Sequence, residues 1–281
     1  MSFRTVVITN KSKLNYKNRF LVVKKGLEEQ YIHLSEIDTL IIDSISVSIS
    51  TYLLKEISDY KINLIFCDEK HNPSREMMPY YGSFNTSKKI LNQINWTKDK
   101  KDEAWKEIVK LKITNQAMLL KKLEIKGYEK LLEYVNEVRS GDSTNREGHA
   151  AKVYFNLLYG MDFIRGRSDN TNVALDYGYS ILLSAVNREV VSKGYITPIG
   201  INHKSEFNQF NLSCDLMEIF RPLIDEVVYT NREFAFDKNY KYKLINVMNQ
   251  TVTIGDKEQY VSNAISIFIS SVFDFLENDK E

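Results

Sequence analysis

The spacing of apolar residues changes once along this chain, near residue 80, and no fold with a single repeat accommodates both parts. Before the change, short β-branched and aromatic runs stand between polar residues: Val6-Val7-Ile8, Leu14 and Tyr16 around Asn15, Phe20-Leu21-Val22-Val23, Tyr31-Ile32, Leu40-Ile41-Ile42, and Ile62 to Phe66. Punctuated by Asn-Lys, Lys-Asn and Lys-Gly, these runs predict strands of an antiparallel sheet. One helix, about Ser48 to Tyr60, interrupts them with Leu53, Leu54 and Ile57 on one face, and His71-Asn72-Pro73-Ser74 reads as a turn.

Beyond residue 80, Trp105, Ile108 and Val109, then Met118, Leu119 and Leu123, recur at helical spacing, and no proline stands between Pro79 and Pro198. Further helices are predicted at about Tyr128 to Arg139, Asn145 to Tyr159, Thr171 to Lys193, Leu212 to Thr230 with a bend near Pro222, and Glu258 to Leu276; Thr251 to Asp256 reads as a short strand and turn. The fold class expected is α+β: a small, sandwich-like β-rich domain over 1–76, a linker over 77–86, and a larger all-helical domain over 87–281.

Charge follows the same division. The whole chain of 281 residues is almost neutral, with 38 basic and 37 acidic side chains. Residues 81–140 alone hold 13 Lys or Arg against 8 Asp or Glu, while residues 141–281 are acidic in excess. A near-neutral total therefore excludes a uniformly basic coat protein but not a polyanionic partner. Lysines at 88, 89, 98, 100, 101, 106, 110, 112, 121, 122, 126 and 130 fall on the first helices of the second domain. They read either as a solvated face with Glu and Asp within one turn, or as a strip that tracks phosphates.

The N-terminus carries Arg4 and no apolar run long enough for a signal peptide, and the uncharged stretch Tyr260 to Phe273 is too short to span a bilayer, so a soluble, cytoplasmic protein with no membrane partner is expected. The two cysteines, Cys67 and Cys214, have no metal-ligand spacing and read as small buried hydrophobes.

Among the four histidines, His33, His71 and His149 lack converging carboxylates; Glu147 lies two residues from His149, about 200° round a helix. His203 differs. It follows Pro198 and Gly200 in a loop, and a helix twelve residues later carries Asp215 and Glu218 on one face. An imidazole with two carboxylates suits Mg²⁺ or Mn²⁺ rather than structural zinc; the same spacing also describes a solvated helix face. Glu147 has two readings as well. Thr144-Asn145-Arg146-Glu147 fits a capping box, whereas Gly148, Ala150 and Ala151 leave room around the glutamate for another backbone or a ligand.

Three blocks carry a resemblance. Arg146-Glu147-Gly148-His149-Ala150-Ala151-Lys152-Val153-Tyr154-Phe155, then Leu175-Asp176-Tyr177-Gly178-Tyr179, then Gly200 through His203 to Asp215, Glu218, Arg221 and Pro222, stand in the order seen in the CRISPR-associated spacer integrases. Asn145-Arg-Glu-Gly-His and Phe207-Asn-Gln-Phe-Asn are most similar to members from type II systems, and the likeness extends over the whole chain, including Ile32-His-Leu-Ser-Glu-Ile-Asp38.

The resemblance implies a metal-dependent DNA endonuclease and integrase whose helical domain is catalytic. Glu147, His203 and Glu218 fall on the family's metal ligands for Mg²⁺ or Mn²⁺, and Asp215 on its additional active-site acid. Glu218 stands where many members have Asp, and Lys152 where many have Arg, which keeps the charge and loses the bidentate fork. It also implies joining of DNA 3′-hydroxyl ends to a repeat array, a homodimer, and a larger complex with a small ferredoxin-like partner. Lys88, Lys89, Lys121, Lys122, Lys152, Arg165 and Arg167 are the expected contacts to double-stranded DNA. A structure-selective nuclease for branched DNA and a non-catalytic DNA-binding scaffold are the rival readings.

Overall fold

The computed structural model describes residues 4–78 and 83–278, so residues 79–82 of the expected linker lie outside the described residues. The chain divides into two compact units. The first holds the described residues up to 78 together with Ile245–Ala264; the second holds Ser83–Leu244 and the chain from Ile265 onward.

Strands β1 (Arg4–Ile8), β2 (Lys13–Lys17), β3 (Phe20–Lys25), β4 (Glu28–His33), β5 (Ile37–Ile42), β6 (Ser48–Ile49), β7 (Asn63–Cys67) and β8 (Pro73–Met77), with helix α1 (Thr51–Asp59) between β6 and β7, build the first unit. They form two four-stranded sheets, ordered β1-β5-β7-β8 and β4-β3-β2-β6. The second matches the antiparallel expectation through its β2-β3-β4 meander. Its β2–β3 turn places both Asn18 and Arg19 at positive φ, the twist that a two-residue hairpin needs.

The first sheet corrects that expectation, because β1 with β5 and β5 with β7 pair in parallel and only β8 runs antiparallel. Parallel neighbours need a crossover. The meander of the other sheet carries the chain from β1 to β5, and α1 carries it from β5 to β7. Every residue of β5 is buried, as a strand flanked on both sides and covered on both faces requires. Leu14 and Leu21 from one sheet, Leu40 and Leu64 from the other, and Leu53 and Ile57 from α1 share one core. The helix is shorter than expected because Ser48–Ile49 pairs as β6 with β2, and Ser50 caps α1 by accepting from the Leu53 amide.

The second unit is helical: α2 (Thr86–Ile94), α3 (Lys98–Lys122), α4 (Glu129–Glu137), α5 (Arg146–Tyr159), α6 (Asn170–Ser192), α7 (Asn211–Met217), α8 (Arg221–Asn231) and α9 (Lys238–Ile245). The chain then leaves it for the hairpin β9 (Thr251–Ile254) and β10 (Lys257–Tyr260), and returns within α10 (Val261–Glu277). Two expectations change here. The helix read from Glu258 begins at Val261 because its first residues pair as β10, and the segment 245–264 belongs to the β-rich unit rather than to a continuous helical domain.

Helix α3 packs against α4, α5 and α8. Its buried residues run from Ala104 to Leu120 and include one charged side chain, Lys112. The expected bend near Pro222 is sharper than a bend. A single 3-10 turn, Glu218–Phe220, separates α7 from α8, since Pro222 has no N–H to bond the Glu218 carbonyl four residues back. The Ile219 carbonyl freed by that break accepts from Asn115 Nδ2 of α3 at 2.7 Å. Among the described residues no helix is long and apolar enough to cross a membrane. Cys67 is buried as expected, whereas Cys214 is only half-buried.

Candidate active site

Asp215 organises one side of the site. It is wholly buried in α7, and its carboxylate accepts four hydrogen bonds from the loop before that helix. Oδ2 accepts from the amides of Ile201 (2.6 Å) and Asn202 (3.0 Å); Oδ1 accepts from the amide of His203 (3.1 Å) and faces His203 Nδ1 at 2.6 Å. Gly200 permits this wrapping, because a Cβ there would stand 2.5 Å from the His203 carbonyl and 2.8 Å from Asp215 Oδ2. Gln93 of α2 holds the preceding stretch of loop through the Ile196 and Ile199 carbonyls, each at 2.8 Å.

The consequence falls on His203. A carboxylate on Nδ1 favours the Nδ1–H tautomer and leaves Nε2 as the free acceptor, the arrangement of a metal-binding histidine backed by an acid. The ring lies edge-on to Trp105 of α3 at 5.9 Å. Its pKa is raised, chiefly by the hydrogen bond to Asp215, against the pull of burial and with help from the charges of Asp215, Glu218 and Glu147.

Glu147 and Glu218 meet on the other side. Lys112 Nζ lies 2.6 Å from Glu147 Oε1 and 2.6 Å from Glu218 Oε2. Only the first contact has hydrogen-bond geometry, so Glu218 Oε2 is a buried oxygen with a cation beside it and no hydrogen bond. Arg221 Nε adds a second positive charge 3.0 Å from Glu218 Oε1. Burial works against ionisation of Glu218, yet Lys112 and Arg221 overcome it and hold the carboxyl below its usual range. Burial likewise opposes the charge on Lys112, and Glu218 and Glu147 outweigh it.

The capping-box reading of Glu147 is overturned. The N-terminus of α5 is capped by Asp142, which accepts from the Arg146 amide at 2.8 Å and the Glu147 amide at 3.0 Å. Thr144 instead donates to the Glu137 carbonyl, and Asn145 is left-handed at the cap. The Glu147 carboxylate is thereby free to point to Lys112. The solvated-face reading of Asp215 and Glu218 fails too, since both are buried.

Among the described residues, no three His, Cys, Asp or Glu side chains gather as a ready metal cage. The two glutamates converge on Lys112 instead. The donor types nevertheless suit a hard divalent ion: two carboxylates, one with a hydrogen-bond-free buried oxygen, and an imidazole whose other nitrogen is tied back.

The residues read as DNA contacts separate into two groups. Lys88, Lys121, Lys122 and Lys152 are exposed, with Lys122 paired to Glu226 at 2.6 Å. Lys89 is not a solvated charge, for it pairs with Glu277 at 2.9 Å and meets the Tyr195 hydroxyl at 3.1 Å. Lys112 leaves the strip altogether. Arg165 is held by Asp176 (2.6 Å) and Asn172 (2.7 Å), while Arg167 is exposed and reaches the Asp162 carbonyl at 3.4 Å. His71, read as lacking an acidic neighbour, pairs with Asp43 at 2.9 Å.

Behind Glu218 lies a polar core that the residue spacing does not reveal. Tyr154 donates to Asp225 at 2.8 Å, Tyr179 donates to its other oxygen, and Arg221 stacks on the Tyr179 ring at 4.5 Å. Tyr154 and Tyr179 are thus core residues. Burial pushes the Asp225 carboxyl up from 3.8 to about 6, partly offset by the two hydroxyls and Arg221. A buried acid with a raised pKa favours folding most when neutral, and that contribution is lost as pH climbs from 3.8 to about 6. At about 1.4 kcal/mol per pH unit, Asp225→Asn should gain about 2 kcal/mol relative to the wild type between pH 4 and pH 7. Urea unfolding at the two pH values checks this, and parallel stability curves would contradict it.

The fold and site define a two-part α+β protein whose helical unit brings Glu147 of α5 and Glu218 of the α7–α8 break to one lysine, with His203 tied to Asp215 in the loop before α7. Its family is equally definite: the family described as CRISPR associated protein Cas1 matches residues 5–247, and the chain belongs to it. A protein of Neisseria meningitidis named CRISPR-associated endonuclease Cas1 is 35% identical over 230 residues, spanning 81% of this chain and 75% of that one. A Cas1 protein from Thermotoga maritima shares the fold at a TM-score of 0.79 and 18% identity, covering 99% of this chain and all of that one. A casposase solved bound to integration product reaches 0.77 at 20% identity, covering 100% and 92%. A chain of a Cas6-RT-Cas1–Cas2 complex matches at 0.60 and 18% identity over 96% of this chain and 32% of its own length.

Proposed function

We propose that this chain is the DNA endonuclease and integrase of CRISPR adaptation, inserting new spacers into a repeat array by attack of DNA 3′-hydroxyl ends on phosphodiesters. The carrying observation is that Glu147 and Glu218, from separate elements, share one buried cation, with the acid-backed His203 within reach of their charge. Membership of the Cas1 family and relatives named endonucleases support the same reading.

Glu147, His203 and Glu218 would hold a divalent ion, Mg²⁺ or Mn²⁺. Bound there, the ion supplies Lewis-acid polarisation of a phosphoryl oxygen and neutralises charge developing at phosphorus. The protein's own part is positional. Asp215 keeps His203 in one tautomer and orientation, and Arg221 fixes the rotamer of Glu218 from behind. Insertion at two ends of a spacer suits a homodimer, and a small ferredoxin-like protein is the proposed partner, in keeping with a fold neighbour drawn from a Cas1–Cas2 complex.

Supercoiled DNA carrying a repeat array, incubated with short duplexes and Mg²⁺, Mn²⁺ or EDTA, tests the reading. Strand joining that requires the divalent ion is expected. Cleavage of branched DNA without any 3′-hydroxyl joining would replace the integrase by the structure-selective nuclease. DNA binding without either reaction would leave the scaffold.

The exposed lysines give a separate expectation. Replacing Lys88, Lys121 and Lys126 by Gln should weaken DNA binding and flatten its log–log salt dependence by about 0.9 for each phosphate that is no longer neutralised. A salt slope unchanged in that triple variant removes these lysines from the binding surface.

A further inference from the structure

Lys112 is the one charged side chain among the buried residues of α3, and its position serves the site rather than the helix packing. Its neighbours along the buried face, Ile108, Val109, Ile113 and Gln116, offer it no opposite charge. The ammonium instead sits 2.6 Å from an oxygen of each glutamate, with 9% of its side chain exposed. Two carboxylates brought together, Glu218 buried and Glu147 partly so, repel each other and lose hydration, a cost that a cation between them offsets. An ion contacting the same two oxygens would have to take the place that the ammonium holds.

We propose that Lys112 is a built-in counter-cation, which holds Glu147 and Glu218 together before the divalent ion arrives and is displaced when it binds. The inference rests on the reading of the two glutamates as metal ligands. Lysine suits the task better than arginine. It holds each carboxylate through a point charge on a flexible four-carbon stem, without the paired, fixed geometry of a guanidinium, and so gives up its partners readily. Arg221 stays behind Glu218, stacked on Tyr179, as the fixed cation of the pair. Once released, the Lys112 ammonium remains within its own side-chain length of the site as an unpaired positive charge, available to a phosphate.

The consequence is competition: the affinity of the site for a divalent ion is set against an ion pair already made. Mn²⁺ binding to the metal-free, full-length protein, read by the free-Mn²⁺ paramagnetic resonance signal, should be about tenfold tighter in Lys112→Met than in the wild type. Equal or weaker binding by the folded variant overturns the proposal while leaving the metal reading of Glu147 and Glu218 intact. Failure of both proteins to bind Mn²⁺ overturns the two together. Should Lys112→Met fail to fold, the wild type decides by itself. Acetylation of Lys112 by an activated ester, followed by mass spectrometry, should rise severalfold when Mn²⁺ replaces EDTA, with Lys89, paired to Glu277, as the unchanged reference. Lys112 labelling that ignores Mn²⁺ sinks the displacement.

Discussion

Glu147→Ala should lose divalent-ion-dependent strand joining by at least about a hundredfold and keep its fold. The two halves of that expectation come from different atoms. The glutamate's backbone amide is bonded by Asp142, so α5 keeps its N-terminal cap when the side chain is removed. Lys112 retains Glu218 as a partner, so no buried charge is orphaned, and a stability cost of about 1 kcal/mol is expected. What disappears is one of the two carboxylates proposed to hold the ion. Even a group supporting a ligand changes metal affinity or activity by about 10- to 100-fold, so removal of a proposed ligand should do no less. The integration assay, run beside thermal unfolding, separates the effects. Joining at the wild-type rate would remove Glu147 from the site.

Asp215→Ala is expected to act first on stability, by about 3 to 5 kcal/mol. Three backbone amides and the His203 ring point at this one carboxylate, which is fully buried. Each buried donor left without an acceptor costs about 1 to 3 kcal/mol, and relaxation recovers part of the sum. Room for relaxation is small: the loop backbone at Gly200 already approaches too closely for a Cβ, and Asn211 ties its flanks at the Pro198 and Ser205 carbonyls. His203 loses its orienting partner in the same step, so activity should fall even at temperatures where the variant is folded. A denaturation midpoint close to that of the wild type would mean that the loop is held by something other than Asp215.

These two acids illustrate how unevenly the site can be read from residues alone. Asp215 and Glu218, three apart on a helix, share a face by geometry, and the motif resemblance singles them out with His203 and Glu147. Their division of labour is not in the spacing. Asp215 turns back to hold a loop, whereas Glu218 stands at the break before Pro222, where the helix tightens into a 3-10 turn. The proline is the visible signal for that break; its effect on Glu218 follows from the missing N–H four residues later. Lys112 is the site residue that spacing does not single out. In the sequence it is one of many lysines on a basic strip, and the burial of α3 on more than one face obscures which side it presents. Its nearest signal is its place between Leu111 and Ile113, a setting that strip neighbours such as Lys110 nearly share.

The two-part organisation, the strand and helix types and the order of the three motifs follow from the sequence itself, because side-chain period and turn residues act over short stretches of chain. Strand order and direction in the first sheet do not, since β5 pairs with β1 and β7 across long crossovers. Nor does the return of residues 245–264 to the β-rich unit. The meeting of Glu147 and Glu218 on Lys112 is of the same kind. Their charges are legible one by one, but only packing of α3 against α5 and the 3-10 turn brings them within ion-pair distance in a largely buried place, and that proximity makes three ordinary side chains depend on one another.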